Sequence, residues 1–168
     1  ATQPAFDLMW AKANNDNGKG YNKVRNATVA FTFGHCLSKL TMNCKLDASV
    51  GVANLDGAKV TIHGMNTVST FDLKTGKQHG TPRKLATPTA NFDATYDAII
   101  LPAGYSAGAV TVDFEIGSDT YTWNVDTVTF EAGNEYIYEV EITRSNVKVT
   151  GTINPWNPVT HQGPVYAE

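Results

Sequence analysis

Charge is scarce in this sequence. Asp, Glu, Lys and Arg make up 17% of its 168 residues, below the roughly 25% usual in soluble domains. Thr, Asn, Gly and Ser take their place, residues of strands and turns more than of helices. No run of Lys or Arg stands out and the formal net charge is −3, which argues against a nucleic-acid partner. Long apolar runs are missing too. The longest, Leu8–Ala11 and Ala98–Leu101, are strand-sized and far short of the roughly 18 residues of a membrane-crossing helix. The hydrophobic content of 42% still places the chain among globular proteins. A domain of this length buries roughly 70% of its unfolded surface, so folding requires neither disulfide nor metal. The chain opens on Ala1 without an initiator Met, export signal or lipid-bearing Cys, an opening expected of a processed chain or a fragment.

Cysteine is nearly absent. Cys36 and Cys44 lie eight residues apart, and an unbroken strand would separate them by roughly 26 Å, beyond the reach of a disulfide. They read as small buried hydrophobes. No metal-ligand spacing surrounds them, and His35, His63, His79 and His161 form no HxH or HExxH pattern, so structural or surface roles are expected. Ser38 sits in no GxSxG elbow, the glycines are dispersed, and Glu139 and Glu141 share a strand face by simple alternation rather than as a glycosidase pair. No nucleophile, base and orienting group can be named together. The expectation is therefore no catalytic residue, no cofactor and no metal. Trp10, Trp123 and Trp156 are either core residues or a sugar-stacking platform. Asn26-Ala27-Thr28 fits an N-glycosylation sequon.

What the chain does contain is alternation. Val110–Ile116 alternates apolar and polar residues, and Gly117-Ser118-Asp119 turns it back into Thr120–Val125. Tyr136, Tyr138, Val140 and Ile142 alternate with Glu139, Glu141 and Thr143. Arg144-Ser145-Asn146 then closes a hairpin onto Val147, Val149, Gly151 and Ile153. Earlier strands are expected at Thr28–Phe33, with a bulge or bend at Gly34, and at Leu37–Leu46, Lys59–His63, Val68–Leu73 and Ala98–Leu101. The first segment is a short strand or one helical turn, and Gln78–Asn91, rich in Pro and Thr, reads as a long surface loop. About ten short strands with no strong helix predict an all-β sandwich or barrel of antiparallel sheets. One domain spans residues 1–168: a leading segment and loop over 1–27, a core over 28–153 and a tail over 154–168. The tail reads either as a plain terminus or as a segment that pairs with another subunit's sheet edge, Val159, Val165 and Tyr166 being its strand-compatible residues.

Several motifs, in order, resemble a known family. Phe33, His35, Leu37, Ser38, Lys39 and Leu40 match the F-x-H-x-L-S-K-L signature of fimbrillins, the fimbrial subunits and surface lipoproteins of Gram-negative Bacteroidales. Asp7-Leu8-Met9-Trp10-Ala11 resembles the opening of the family's second domain. Phe71–Gly76 is similar to its dL-x-tG turn, and Ile99–Pro102 to its Pro-ended apolar strand. Gly133, Tyr136 and Tyr138 fit its f-x-a-G-x-x-Y-x-Y strand, and Ile153–Trp156 its closing I-x-x-W. The resemblance implies a transthyretin-like antiparallel β-sandwich with Greek-key connections and about 7–10 strands. It also implies a missing N-terminal domain, a lipid anchor on the precursor, and residence in fimbriae on the outer-membrane surface. The implied partners are other fimbrial subunits, joined by β-strand exchange, and a host glycan or protein receptor. Fold roles are expected for His35 and Lys39. A surface lipoprotein module that binds glycan or host protein without polymerising is the alternative.

Overall fold

A computed structural model describes residues 7–12, 30–83, 89–91, 95–157 and 159–162. In chain order its strands are β1 (Met9–Trp10), β2 (Ala30–His35), β3 (Ser38–Leu46), β4 (Lys59–His63), β5 (Val68–Asp72), β6 (Lys77–Arg83), β7 (Thr89–Asn91) and β8 (Thr95–Ile100). There follow β9 (Ala103–Tyr105), β10 (Thr111–Ile116), β11 (Asp119–Asn124), β12 (Val128–Phe130), β13 (Asn134–Thr143), β14 (Asn146–Pro155) and β15 (Val159–Gln162). The 3-10 turn Ala48–Val50 is the only helical element among the described residues.

Two four-stranded sheets, ordered β14-β13-β3-β8 and β11-β10-β4-β7, pack face to face. Each long strand presents alternate residues inward: Leu40, Met42 and Cys44 from β3, Tyr136, Val140 and Ile142 from β13, Val60 and Ile62 from β4, and Val112, Phe114 and Ile116 from β10. All of them belong to one buried cluster. The outward residues of the first sheet pair across strands. Lys39 Nζ lies 2.8 Å from Glu135 and Lys45 Nζ 3.3 Å from Glu141, while Asn43 donates to Glu139 at 2.6 Å. Glu139 and Glu141 are thus separate cross-strand partners, as alternation anticipates.

The all-β sandwich is as expected, but four readings of the sequence need correction. First, β3 and β13 run parallel, with Glu135 opposite Lys39 and Ile142 opposite Leu46. Strands so distant in sequence are not held antiparallel by a short turn. Second, strands outnumber the expectation because β1, β7, β9 and β12 are only two or three residues long. Third, the stretch 78–91 is no single loop, since β6 pairs with β5 and β7 with β4. Fourth, β2 runs straight through Gly34, and the chain bends instead at Cys36-Leu37. The sequon at Asn26 lies outside the described residues.

Candidate functional site: a clasp between β2, β13 and β14

Beside the sandwich lies a third sheet, ordered β1-β2-β15. On one side of β2, Met9 sits opposite His35 and Trp10 opposite Gly34. On the other side Val159 sits opposite Phe33 and Gln162 opposite Ala30. The Cys36 N–H continues the first pairing by donating to Leu8 O at 2.8 Å.

His35, at the end of β2, is the hub. Its Nδ1 lies 3.0 Å from Asp7 Oδ1 and its Nε2 3.2 Å from Asn157 O. The indole of Trp156 stacks on the ring with centroids 3.6 Å apart and planes within 2°. One imidazole, its side chain only 6% exposed, therefore holds both the segment entering β1 and the segment leaving β14. His35→Phe keeps the stacking and loses both hydrogen bonds. At about 1 kcal/mol each, the expected loss is a fall of roughly 4–8 °C in the thermal midpoint; an unchanged midpoint would show that the clasp holds nothing.

The link from β2 to β3 is tied to β13 by groups that alternation does not reveal. Gly133, at φ 75°, donates from its N–H to Leu37 O at 2.9 Å, and its carbonyl accepts from Trp156 N–H at 2.7 Å. Ser38, fully buried, donates from Oγ to Glu131 O at 2.7 Å. Tyr136 donates from its hydroxyl to Thr129 O and accepts from Glu131 N–H, both at 2.8 Å. Its ring meets Phe130 edge-on at 4.8 Å. Lys39 points outward between Glu135 and Asp97. Burial alone would pull its pKa down, but the hydrogen bond to Glu135 and the two carboxylate charges outweigh that, and the net shift is upward.

The structure thus gathers His35, Leu37, Ser38, Gly133, Tyr136 and Trp156 in one place. Leu40 lies in the core and Phe33 stays on β2, half-buried and 6.2 Å from Phe31. Tyr138 stands apart, against Trp123. Reading the sequence missed Asp7, Glu131 and Asn157 as partners, two of which act through backbone groups. It also missed the anchoring of Trp10. The Trp10 indole N–H donates to Leu73 O at 2.9 Å, and the ring covers Gly76 so closely that a Cβ there would stand 2.3 Å from it. The Phe71–Gly76 turn thereby becomes the seat of β1. Of the candidate donor residues, Val159 opens β15, whereas Val165 and Tyr166 lie outside the described residues.

The chemistry of this site is hydrogen bonding and stacking. Among the described residues no group of three or more His, Cys, Asp or Glu could hold a metal ion. Both cysteines are free and buried. Burial, with the Glu139 charge as a lesser cause, pushes the Cys44 thiol up to about 12, and burial followed by the Asp7 charge raises Cys36. Neither is a poised nucleophile.

The architecture is an all-β sandwich with a small three-stranded sheet, β1-β2-β15, beside it. The chain shares it with a crystal structure described as a cell adhesion protein of Bacteroides uniformis, at TM-score 0.63 and 25% identity over 76% of this chain and 53% of that one. A corresponding protein of Bacteroides ovatus has the same fold, at TM-score 0.61 and 18% identity over 89% and 60%. In sequence, residues 1–156 match the fimbrillin-like family, and the chain belongs to it. A Bacteroides uniformis protein named as a fimbrium subunit, Fim1C, is 31% identical over 167 residues, covering 93% of this chain and 53% of the relative. The chain spans about half the length of that relative.

Proposed function

We propose that this chain forms part of a structural or adhesive subunit of a cell-surface fimbria and acts by assembly rather than catalysis. Membership of the fimbrillin-like family supports the reading. The observation that carries the assembly step is the position of β15. It is a four-residue strand on the edge of β2, joined by one register of four pairs and reached through the Trp156-Asn157 clasp. A strand held by so few ladder bonds can be replaced by the same segment of a neighbouring subunit with little change in contacts, the condition for strand exchange. Its partners are then other fimbrial subunits, on the outer-membrane surface of a Gram-negative cell, with any lipid anchor carried by the precursor. In the second reading the domain is a non-polymerising surface module that binds a host glycan or protein.

The register supplies the test. Thr32 and Thr160 are direct partners. The double variant Thr32→Cys, Thr160→Cys, with Cys36 and Cys44 replaced by Ser, is expressed in the native cell envelope, oxidised, and run without reductant after boiling. Strand exchange is expected to give a covalent ladder of oligomers. Monomers carrying only an internal crosslink would show that β15 stays in its own chain, and the second reading would stand.

A further inference from the structure

Along one side of the sandwich the edge strands of the two sheets, β11 and β14, come together. A cleft of about 350 Å³ lies there, at the lower end of the roughly 300–1,000 Å³ of small-molecule sites. Its shape follows from one residue. On β14, Val147 and Val149 face inward opposite Ile142 and Val140, and the next position on that face is Gly151, opposite Tyr138. A Cβ at Gly151 would stand 2.8 Å from the Tyr138 ring. The absent side chain therefore leaves a notch across which the phenol leans. Trp123, from β11, meets that ring edge-on, with centroids 4.9 Å apart and planes at 60°. Both rings are half-buried, so part of each remains available at the cleft.

The rim is polar and unengaged. Asn124, Asp126 and Thr127 line the cleft and are exposed. Among the described residues their side chains take no hydrogen bond or ion pair. By contrast, Thr122 on the outer face of β11 is already bound to Asp113 at 2.6 Å. No Lys or Arg lines the cleft.

We propose that this cleft binds a neutral saccharide. Two aromatic rings at an angle, over a floor of Val147, Val149 and Gly151, offer the flat apolar contact that the C–H faces of a pyranose ring match. The amide, carboxylate and hydroxyl of the rim supply both donors and acceptors for sugar hydroxyls. The Asp126 carboxylate, with no cation beside it, selects against acidic sugars by like-charge repulsion. The site is independent of β15 and of the clasp, so it serves the domain whether or not the chain polymerises.

The test is an NMR titration of the isotope-labelled chain with the methyl glycosides of glucose, galactose, mannose, N-acetylglucosamine and N-acetylgalactosamine, and with N-acetylneuraminic acid as the charged control. At least one neutral glycoside is expected to give saturable shifts at the Trp123 indole N–H and the Gly151 amide. Trp123→Ala is expected to weaken that binding by at least about tenfold, a loss of about 1.4 kcal/mol. Asp126→Ala, an exposed substitution that leaves the fold intact, weakens it several-fold and keeps the result readable should the Trp123 variant misfold. The proposal is overturned by an absence of saturable shifts with every neutral glycoside, by equal affinity in the Asp126 variant, or by binding of N-acetylneuraminic acid alone. None of these outcomes bears on the crosslinking ladder, which reads assembly separately.

Discussion

Tyr136→Ala is expected to lower the unfolding free energy by about 4–5 kcal/mol, measured by urea denaturation, while Tyr136→Phe lowers it by only about 1–2 kcal/mol. The ring is 2% exposed and belongs to the central cluster, and removing a buried aromatic costs roughly 3–5 kcal/mol through lost transfer energy and the cavity left behind. The hydroxyl adds a separate contribution. It accepts from Glu131 N–H and donates to Thr129 O, and thus fixes the chain between β12 and β13 as it approaches Gly133. Phe at this position keeps the ring against Phe130 but leaves a donor and an acceptor without their partner. Against the roughly 5–15 kcal/mol typical of a domain, the alanine variant loses about a quarter or more of the stability. If Tyr136→Phe matched the wild type, the hydroxyl would be a bystander and the strength of this corner would come from packing alone.

The same corner shows what reading the sequence could and could not reach. Tyr136, Gly133, Ser38, His35 and Trp156 were legible as family motifs, and β10, β11, β13 and β14 as alternating strands, because a hairpin writes its partner next to itself in the chain. The pairing of β3 with β13 was not legible. Both strands alternate well, but alternation specifies a face and not a neighbour. Their parallel register joins residues such as Lys39 and Glu135 with all four strands of the other sheet between them in sequence. The acceptors of the clasp were hidden for a different reason. Glu131 O, Leu37 O and Asn157 O are backbone groups, and the side chains at those positions say nothing of the carbonyls. Strand β6 was missed because its Gly80 and Pro82 argue against a strand, and a hairpin turn built by Asp72 and Gly76 overrides them. In that turn Asp72 accepts from Lys74 N–H and the Thr75 hydroxyl, each at 2.8 Å.

Gly64→Ala is expected to be as damaging as the loss of the tyrosine ring, about 3–5 kcal/mol, although it adds a single methyl group. Gly64 follows β4 at φ 90°, a left-handed conformation that costs an L-residue about 1–2 kcal/mol. A Cβ there would also stand 2.0 Å from Ala109 O and 3.1 Å from Val110 Cα. Both obstacles are backbone, so no rotamer change relieves them. The obstructing segment is itself held in place, with Ala109 N–H bound to Ser106 O at 3.0 Å, Val110 O accepting from Val125 N–H at 3.0 Å, and the Val110 side chain wholly buried. Relief requires β4 and β10, the two middle strands of the second sheet, to part at the end of their ladder, where Thr111 and His63 pair. Gly108→Ala is the control. It has a similar φ of 73° with nothing within 4 Å of its Cβ, and is expected to lose only the conformational part, about 1–2 kcal/mol. The difference between the two variants in one denaturation series isolates the cost of separating the strands. Equal losses would mean that the sheet yields at this point, and that the sandwich is softer along β4 than its packing indicates.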